Sequence, residues 1–175
     1  MRHAIVSMPD ADADRFDTRA FRQCLARYAT GVAVITTEVE GERAGIAANS
    51  FSSLSLDPPL VLWSLGRASR SMPAFARSTH FAVNVLSHEQ LPVSQAFSSR
   101  AADKFTGFRW IEGMGGAPLL AGSIATLECK VERVIEAGDH ILFIGEVLRF
   151  RHEEGTPLVF VQGRYVRIED PAPSA

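Results

Sequence analysis

The sequence predicts a mainly β fold with flanking helices, in which antiparallel strands form a barrel. Segments rich in apolar and β-branched residues outnumber segments with helical periodicity. Most of them are joined by short turns, which favours an antiparallel barrel over a doubly wound parallel sheet. With 175 residues and 46% apolar composition, the chain can form one domain with a sizeable core. We expect that domain over 17–168, between flexible tails at 1–16 and 169–175.

Strands are expected where runs of apolar and β-branched residues are bounded by turn residues. Glu40 and Gly41 supply a hairpin turn between the first two runs, and "AGDH" (137–140) joins two long strands. The expected strands are "VAVITT" (32–37), "AGIAAN" (44–49), "PLVLWSL" (59–65), "FAVNVL" (81–86), two within 123–150 and one or two within 157–168.

Three helices are expected beside these strands. Asp17 or Thr18 suits the N-cap of the first, whose apolar residues recur at helical spacing until the segment stops at Gly31. A short second helix is expected over 71–78, and a third over about 88–97.

Charge, hydropathy and cysteine content argue against several classes of protein. A net charge of −2 and a pI of 6.2 provide no basic stripe for nucleic acid. No apolar run approaches the roughly 20 residues of a membrane-spanning helix, and the N-terminus lacks a signal-peptide pattern. Cys24 and Cys129 are expected to be reduced, partly buried thiols of a cytoplasmic protein. The histidines form no pair at i, i+4, so no metal site is expected.

Small polar residues are concentrated in "GIAANSFSSLSLDPP" (45–59). The two-residue alternation slips by one around Ser52 and Ser53, which suggests a β-bulge. A bulge can re-aim side chains, so that the hydroxyls of Ser50, Ser52 and Ser53 and the amide of Asn49 converge on one ligand. Turn formation accounts for the same residues, and the pattern alone leaves both interpretations open.

Two further segments have residues suited to an anion. In "SLGRASRSMPAF" (64–75), Gly66 permits a close approach, arginines supply charge, and Ser69 or Ser71 can cap a helix whose N-terminus favours phosphate. Lys104 in "ADKF" is a further candidate for phosphate binding. An ordinary surface loop and a solvated lysine are the alternative interpretation.

His140 follows Gly138 and Asp139 at the joint between two apolar strands. A turn does not require histidine, so the imidazole can stack on a planar ligand or donate to it, or it can be a structural residue at the strand end. The sequence has no G-x-S-x-G, Walker or G-x-G-x-x-G motif. A hydrolase, a nucleotide kinase and a Rossmann dehydrogenase are therefore not indicated.

Six segments together resemble the flavin reductase-like family over about 18–168: "ATGVAVIT", "GIAANSFSSLSLDPPLVLWSL", "FAVNVL", "DKF", "LECKV" and "GDHILFIGEV". The resemblance implies an antiparallel Greek-key split β-barrel, the FMN-binding split barrel. It also implies reduction of FMN or FAD with NADH or NADPH as electron donor, with the reduced flavin reaching a partner monooxygenase by diffusion. Two alternatives are a flavoprotein that keeps its flavin and reduces another acceptor, and a non-catalytic flavin- or haem-binding barrel.

The resemblance also assigns residues to the site. Residues 45–53 would border the isoalloxazine and ribityl chain, the 64–71 loop would approach the phosphate, and His140 would face the nicotinamide. The implied flavin-binding residues are Ala47, Ala48, Asn49, Ser50, Ser52, Ser53, Ser64, Leu65, Gly66, Ser69, Ser71 and Lys104. The implied NAD(P)H-binding residues are Gly138, Asp139 and His140. Ala47 departs from the family, because many relatives have Thr or Ser there.

A homodimer is expected as well. "ILFIGEVL" and "PLVLWSL" are apolar at consecutive positions, as if both faces of these strands were covered. A single barrel wall normally covers only one face. Members of the resembled family are usually dimers with flavin near the interface.

Overall fold

The computed structural model describes residues 16–168, which form antiparallel sheets and three short α-helices. The helices are α1 (Thr18–Leu25), α2 (Met72–Arg77) and α3 (Leu91–Ser98). The strands are β1 (Thr30–Gly31), β2 (Ala33–Val39), β3 (Glu42–Ala48), β4 (Ser52–Leu56), β5 (Pro59–Gly66), β6 (His80–Val85), β7 (Trp110–Glu112), β8 (Pro118–Leu120), β9 (Ala125–Ala137), β10 (His140–His152), β11 (Leu158–Val161) and β12 (Arg164–Arg167). Single turns of 3₁₀-helix lie at His88–Gln90 and Met114–Gly116.

Seven strands form the main sheet, in the order β3-β2-β6-β9-β10-β5-β4. A three-stranded sheet, β1-β11-β12, and a two-stranded sheet, β7-β8, complete the described structure. Every strand pair in them is antiparallel, so the predicted mainly β antiparallel fold is confirmed.

An aromatic cluster packs on the inward face of the main sheet. Trp63 stacks on Phe143 with ring centroids 4.8 Å apart, and Phe75 meets Trp63 edge-on at 4.8 Å. The two-residue alternation of β5 places Trp63 in this cluster, because Val61, Trp63 and Leu65 point inward while the residues between them do not. A second apolar cluster lies where α3 packs on the sheet and is built around Phe97.

A buried asparagine joins β8 to the main sheet. Asn84 on β6 is fully buried, and its Nδ2 donates to the Val34 carbonyl at 3.0 Å. Its Oδ1 accepts from the Leu120 N–H at 2.7 Å. Thr36 Oγ1 donates to the Pro118 carbonyl at 2.6 Å beside it. These bonds attach the 118–120 segment through side chains, since β8 itself pairs only with β7.

Both predicted turns are confirmed. Glu40 and Gly41 adopt φ angles of 54° and 83°, and β2 pairs with β3 across them. Gly138 adopts a φ of 62° at the tip of the hairpin between β9 and β10. The predicted bulge is also present, because the register of β4 against β5 shifts between Ser53 and Ser55.

The first helix begins as predicted but ends earlier. Asp17 Oδ1 accepts from the N–H groups of Arg19 and Ala20, at 2.8 and 3.0 Å, and so caps α1. The predicted stop at Gly31 is wrong, because the helix ends at Leu25. Thr30 and Gly31 instead pair with β11 as a short strand, so pairing between distant segments overrides the local helical pattern.

The two thiols lie in different environments. Burial raises the pKa of Cys129 to about 12, which makes this thiol a poor nucleophile. Cys24 is exposed, so the expectation of partial burial is wrong for it; no residue of α1 is buried within the described part of the chain. The tails predicted at 1–16 and 169–175 lie outside the described residues, apart from Phe16. No helix within 16–168 is long and apolar enough to cross a bilayer.

Candidate functional site

Four basic side chains line a cleft of about 650 Å³, called here the cationic cleft. Its walls are the 43–47 segment of β3, the 68–71 loop that leads into α2, and the 97–105 segment at the end of α3. Its charged and hydroxyl-bearing residues are Arg43, Arg70, Arg100, Lys104, Ser69, Ser71, Ser98 and Ser99. None of its lining residues in the described chain is acidic.

Hydrogen bonds hold the three walls of the cationic cleft together. Ser71 Oγ donates to the Gly45 carbonyl at 3.1 Å, and Arg70 Nη1 donates to the Arg100 carbonyl at 3.0 Å. Ser71 occupies the N-cap position of α2 without a capping bond from its side chain, so the predicted cap is replaced by this cross-link. Gly45 is required for close approach, because a Cβ there would lie 2.5 Å from Phe97 Cε1.

Lys104 is a constrained cation in this cleft. Its Nζ donates to the Phe97 carbonyl at 3.1 Å. Burial and, to a lesser degree, the charge of Arg70 lower the pKa of Lys104. Only Arg43 among the four cations has a carboxylate partner in the described chain, Glu38 at 3.3 Å. The other three, Arg70, Arg100 and Lys104, together with the hydroxyl donors of the cleft, fit a phosphate ester.

Two further depressions lie beside the cationic cleft. The middle cleft, about 200 Å³, shares Ala47 and Ser98 with it. The outer cleft, about 770 Å³, shares Asn49 and Phe160 with the middle one and reaches Ser52. The clefts therefore adjoin one another through shared lining residues. The predicted flavin-binding residues that line them are Ala47, Ala48, Asn49, Ser50, Ser52, Ser69, Ser71 and Lys104.

The serine hydroxyls in the outer cleft have local partners. Ser50 Oγ donates to the Ser64 carbonyl and accepts from the Ser64 N–H, both at 3.0 Å, and so joins the 49–51 segment to β5. Ser52 Oγ donates to the Ser53 carbonyl at 3.2 Å, and Ser53 is exposed without lining any of the three clefts. Leu65 is buried in the aromatic core, which leaves only its backbone available to a ligand.

His140 lies at the tip of the hairpin and lines none of the three clefts. It pairs with Gly66, two residues along β5 from Ser64, so it stands on the same face of the sheet as the residue that holds Ser50. Its Nδ1 lies 2.7 Å from Asp139 Oδ1. The hydrogen bond and charge of His140 lower the pKa of Asp139.

Arg67 fastens this tip to the end of β5. Its Nε donates to the Gly138 carbonyl at 3.0 Å and its Nη2 to Glu136 Oε2 at 2.7 Å, while its own N–H donates to the Asp139 carbonyl at 3.0 Å. The three residues assigned to NAD(P)H, Gly138, Asp139 and His140, are thus held as one unit. The hairpin tip and the cationic cleft lie at opposite ends of the 66–71 segment.

Several residues of the clefts were not among the sequence-based candidates. Arg43, Ser98, Ser99 and Arg100 line the cationic cleft, and Ser94 and Tyr165 line the middle one. One local signal was available, because "SSRAADK" (98–104) places two hydroxyls and an arginine just before Lys104. Ser94 and Tyr165 offered no such signal, since they lie 71 positions apart in the chain.

Comparisons with known proteins find one matching family model, described as the flavin reductase like domain, over residues 25–169. The reductase subunit HsaB of a flavin-dependent monooxygenase from Rhodococcus jostii is 44% identical over 90% of this chain and 81% of its own length. FMN reductase (NADH) SmoA of Agrobacterium fabrum is 42% identical over 86% of each chain. The solved structure of the Streptomyces globisporus NADH:FAD oxidoreductase SgcE6 with NAD and FAD fragments superposes with a TM-score of 0.82 at 37% identity, over 89% of this chain and 93% of that one.

Proposed function

This chain belongs to the flavin reductase-like domain family and has its split-barrel fold; from this membership we propose that it is an NAD(P)H:flavin oxidoreductase that supplies reduced flavin to a partner monooxygenase. The observation that carries the proposal is the cationic cleft, which adjoins the clefts lined by residues of the 47–52 segment. That arrangement suits a ligand with a phosphate at one end and a planar ring at the other. We place the protein in the cytoplasm, where free thiols such as that of Cys129 stay reduced.

The chain's own residues bind and orient the ligands in this proposal. A bound flavin itself accepts the hydride of the reduced nicotinamide, so the protein needs no catalytic triad. Lys104 and Ser69 hold the phosphate, while Ser71 fixes the cleft wall beside it through its bond to the Gly45 carbonyl. The small side chains of Ala47 and Ala48 leave room for the ribityl chain and ring. Asn49 and the Ser50–Ser64 backbone link border the ring end. His140, oriented by Asp139, positions the nicotinamide.

FMN and FAD both carry the phosphate that the cationic cleft recognises. SmoA is named for FMN and NADH, and SgcE6 for NADH and FAD. The test is steady-state NADH and NADPH oxidation with and without added FMN or FAD. Turnover that depends on added flavin supports the proposal. Turnover only with another acceptor would indicate a flavoprotein that keeps its flavin and reduces that acceptor. No turnover with any acceptor would indicate a non-catalytic binding module.

Lys104→Ala is expected to weaken FMN binding about ten- to 100-fold and to leave riboflavin binding nearly unchanged. Only FMN has the charged group, and a charge-assisted contact contributes about 1.5–3 kcal/mol. Fluorescence titration of both flavins measures the difference. Lys130→Ala is the matched control, because Lys130 is the only other lysine and is exposed on β9. Equal losses for FMN and riboflavin would mean that Lys104 does not contact the phosphate.

We also propose that the protein is a homodimer. The outer face of β5 and β10 presents Leu60, Leu62, Leu142 and Ile144, all only partly buried within the described chain. A dimer that covered this face would remove its apolar surface from water. Light scattering after size exclusion should give about twice the chain mass of 19.1 kDa at micromolar concentration. A particle of 19.1 kDa, or Leu62→Glu with an unchanged mass, would contradict this assembly.

A further inference from the structure

Two hydroxyl groups meet at the middle cleft. Ser94 on α3 is 0% exposed, and its Oγ lies 2.9 Å from Oη of Tyr165 on β12. Tyr165 is partly buried, and its ring meets Phe160 edge-on with centroids 5.1 Å apart. Both residues line the middle cleft, so packing on two sides fixes the hydroxyl pair at the cleft wall.

The pair has hydrogen-bonding capacity left over. Two hydroxyls carry two protons, and the bond between them uses one. Within residues 16–168, neither oxygen has a second partner. Ser94 is fully buried, so the hydroxyl of this pair that a ligand in the middle cleft can reach is that of the partly buried Tyr165.

The middle cleft also lies between the two ends of the proposed flavin site. It meets the cationic cleft at Ala47 and Ser98 and the outer cleft at Asn49 and Phe160. A flavin with its phosphate beside Lys104 and its ring beside Asn49 must cross this cleft with the part that joins them. That part is the ribityl chain, a row of hydroxyl groups that both donate and accept.

We propose that Tyr165, with its hydroxyl positioned by Ser94, binds the ribityl chain of the flavin and thereby sets the position of the flavin ring. The inference rests on the proposed function, because it places a flavin across the three clefts. It assigns to β12 a binding role and to α3 a positioning role, both outside the expected flavin-binding stretch, 45–53. The chemistry recognised is a polyol, separate from both the phosphate and the ring.

Three flavins separate this contact from the others. Lumiflavin has the ring alone, riboflavin adds the ribityl chain, and FMN adds the phosphate. Tyr165→Phe and Ser94→Ala should each weaken riboflavin and FMN by the same factor, roughly three- to tenfold for one lost hydrogen bond, and leave lumiflavin unchanged. Ser55→Ala is the matched control for Ser94→Ala, because Ser55 on β4 lines none of the three clefts.

The ratio of riboflavin affinity to lumiflavin affinity is the decisive quantity, because it does not depend on how much of a variant is folded. A ratio equal to wild type in both variants would overturn the inference. So would a loss confined to FMN, which would place the pair at the phosphate. A wild type that binds the three flavins in the expected order but never oxidises NADH would contradict the proposed function alone, and the lowered ratio in the variants would still support the inference.

Discussion

His140→Ala is expected to slow the reduction of bound flavin by on the order of 100-fold at saturating NADH, while flavin affinity stays within about twofold of wild type. The imidazole stands at the first residue of β10, away from the clefts proposed for flavin. Its removal should therefore disturb only the geometry of the nicotinamide ring. Stopped-flow reduction at saturating flavin, over a series of NADH concentrations, measures the effect.

The same variant distinguishes a ligand-positioning role from a structural one. The His140 side chain is 49% exposed, so its truncation should change the free energy of unfolding by no more than about 0.5 kcal/mol. His152→Ala is the matched control, because His152 is the exposed last residue of the same strand. Reduction at the wild-type rate over the whole NADH range would mean that His140 does not position the nicotinamide. A lower melting temperature with parallel loss of both ligands would indicate a structural histidine.

Asn84→Ala is expected to lower the free energy of unfolding by about 2–4 kcal/mol. The amide satisfies the Val34 carbonyl, the Thr36 hydroxyl and the Leu120 N–H in a fully buried position. Alanine would leave the Leu120 N–H without its acceptor where water does not reach it, and would remove a donor from the Val34 carbonyl and the Thr36 hydroxyl. Urea unfolding at fixed protein concentration is the measurement, since association would make the midpoint depend on concentration.

The sequence contains a matched control for this variant as well. Asn49 is the only other asparagine and is exposed, so Asn49→Ala should change the free energy of unfolding by no more than about 0.5 kcal/mol. Its effect should appear instead in flavin affinity, because Asn49 lies between the middle and outer clefts. A loss below about 1 kcal/mol for Asn84→Ala would mean that β8 is held by its packing and not by this amide.

Elements with a local cause were predictable from the sequence. The turn at Glu40 and Gly41 and the tip at Gly138 depend on residues that tolerate positive φ, so a few letters suffice to predict them. β7 and β8 were missed, because each has three residues and they pair only with one another. The buried amide of Asn84 completes their attachment, and no short pattern reveals which residue a distant side chain will contact.

The residues of the candidate site were also predictable only in part. Ser69, Ser71 and Lys104 were selected as phosphate ligands, and they line one cleft although 33 positions separate Ser71 from Lys104. Ser50 was selected for its hydroxyl, yet its hydroxyl is bound to the backbone of Ser64. The break in the two-residue alternation predicted a bulge, and the register of β4 against β5 confirms it. Which hydroxyls a bulge turns towards neighbouring strands depends on the folded chain.

α1 has a consequence for the dynamics of the molecule. It is capped by Asp17 but buries none of its residues, and Phe21 and Leu25 are 47% and 56% exposed. Such a segment belongs to the low end of the local unfolding scale, where amide hydrogens exchange through brief opening of a single element. A partner surface laid over Phe21 and Leu25 would slow that opening without changing the barrel. Amide hydrogen exchange at residues 21–25 therefore reports association. If a second copy covers the helix, the protection factors of these amides rise with protein concentration.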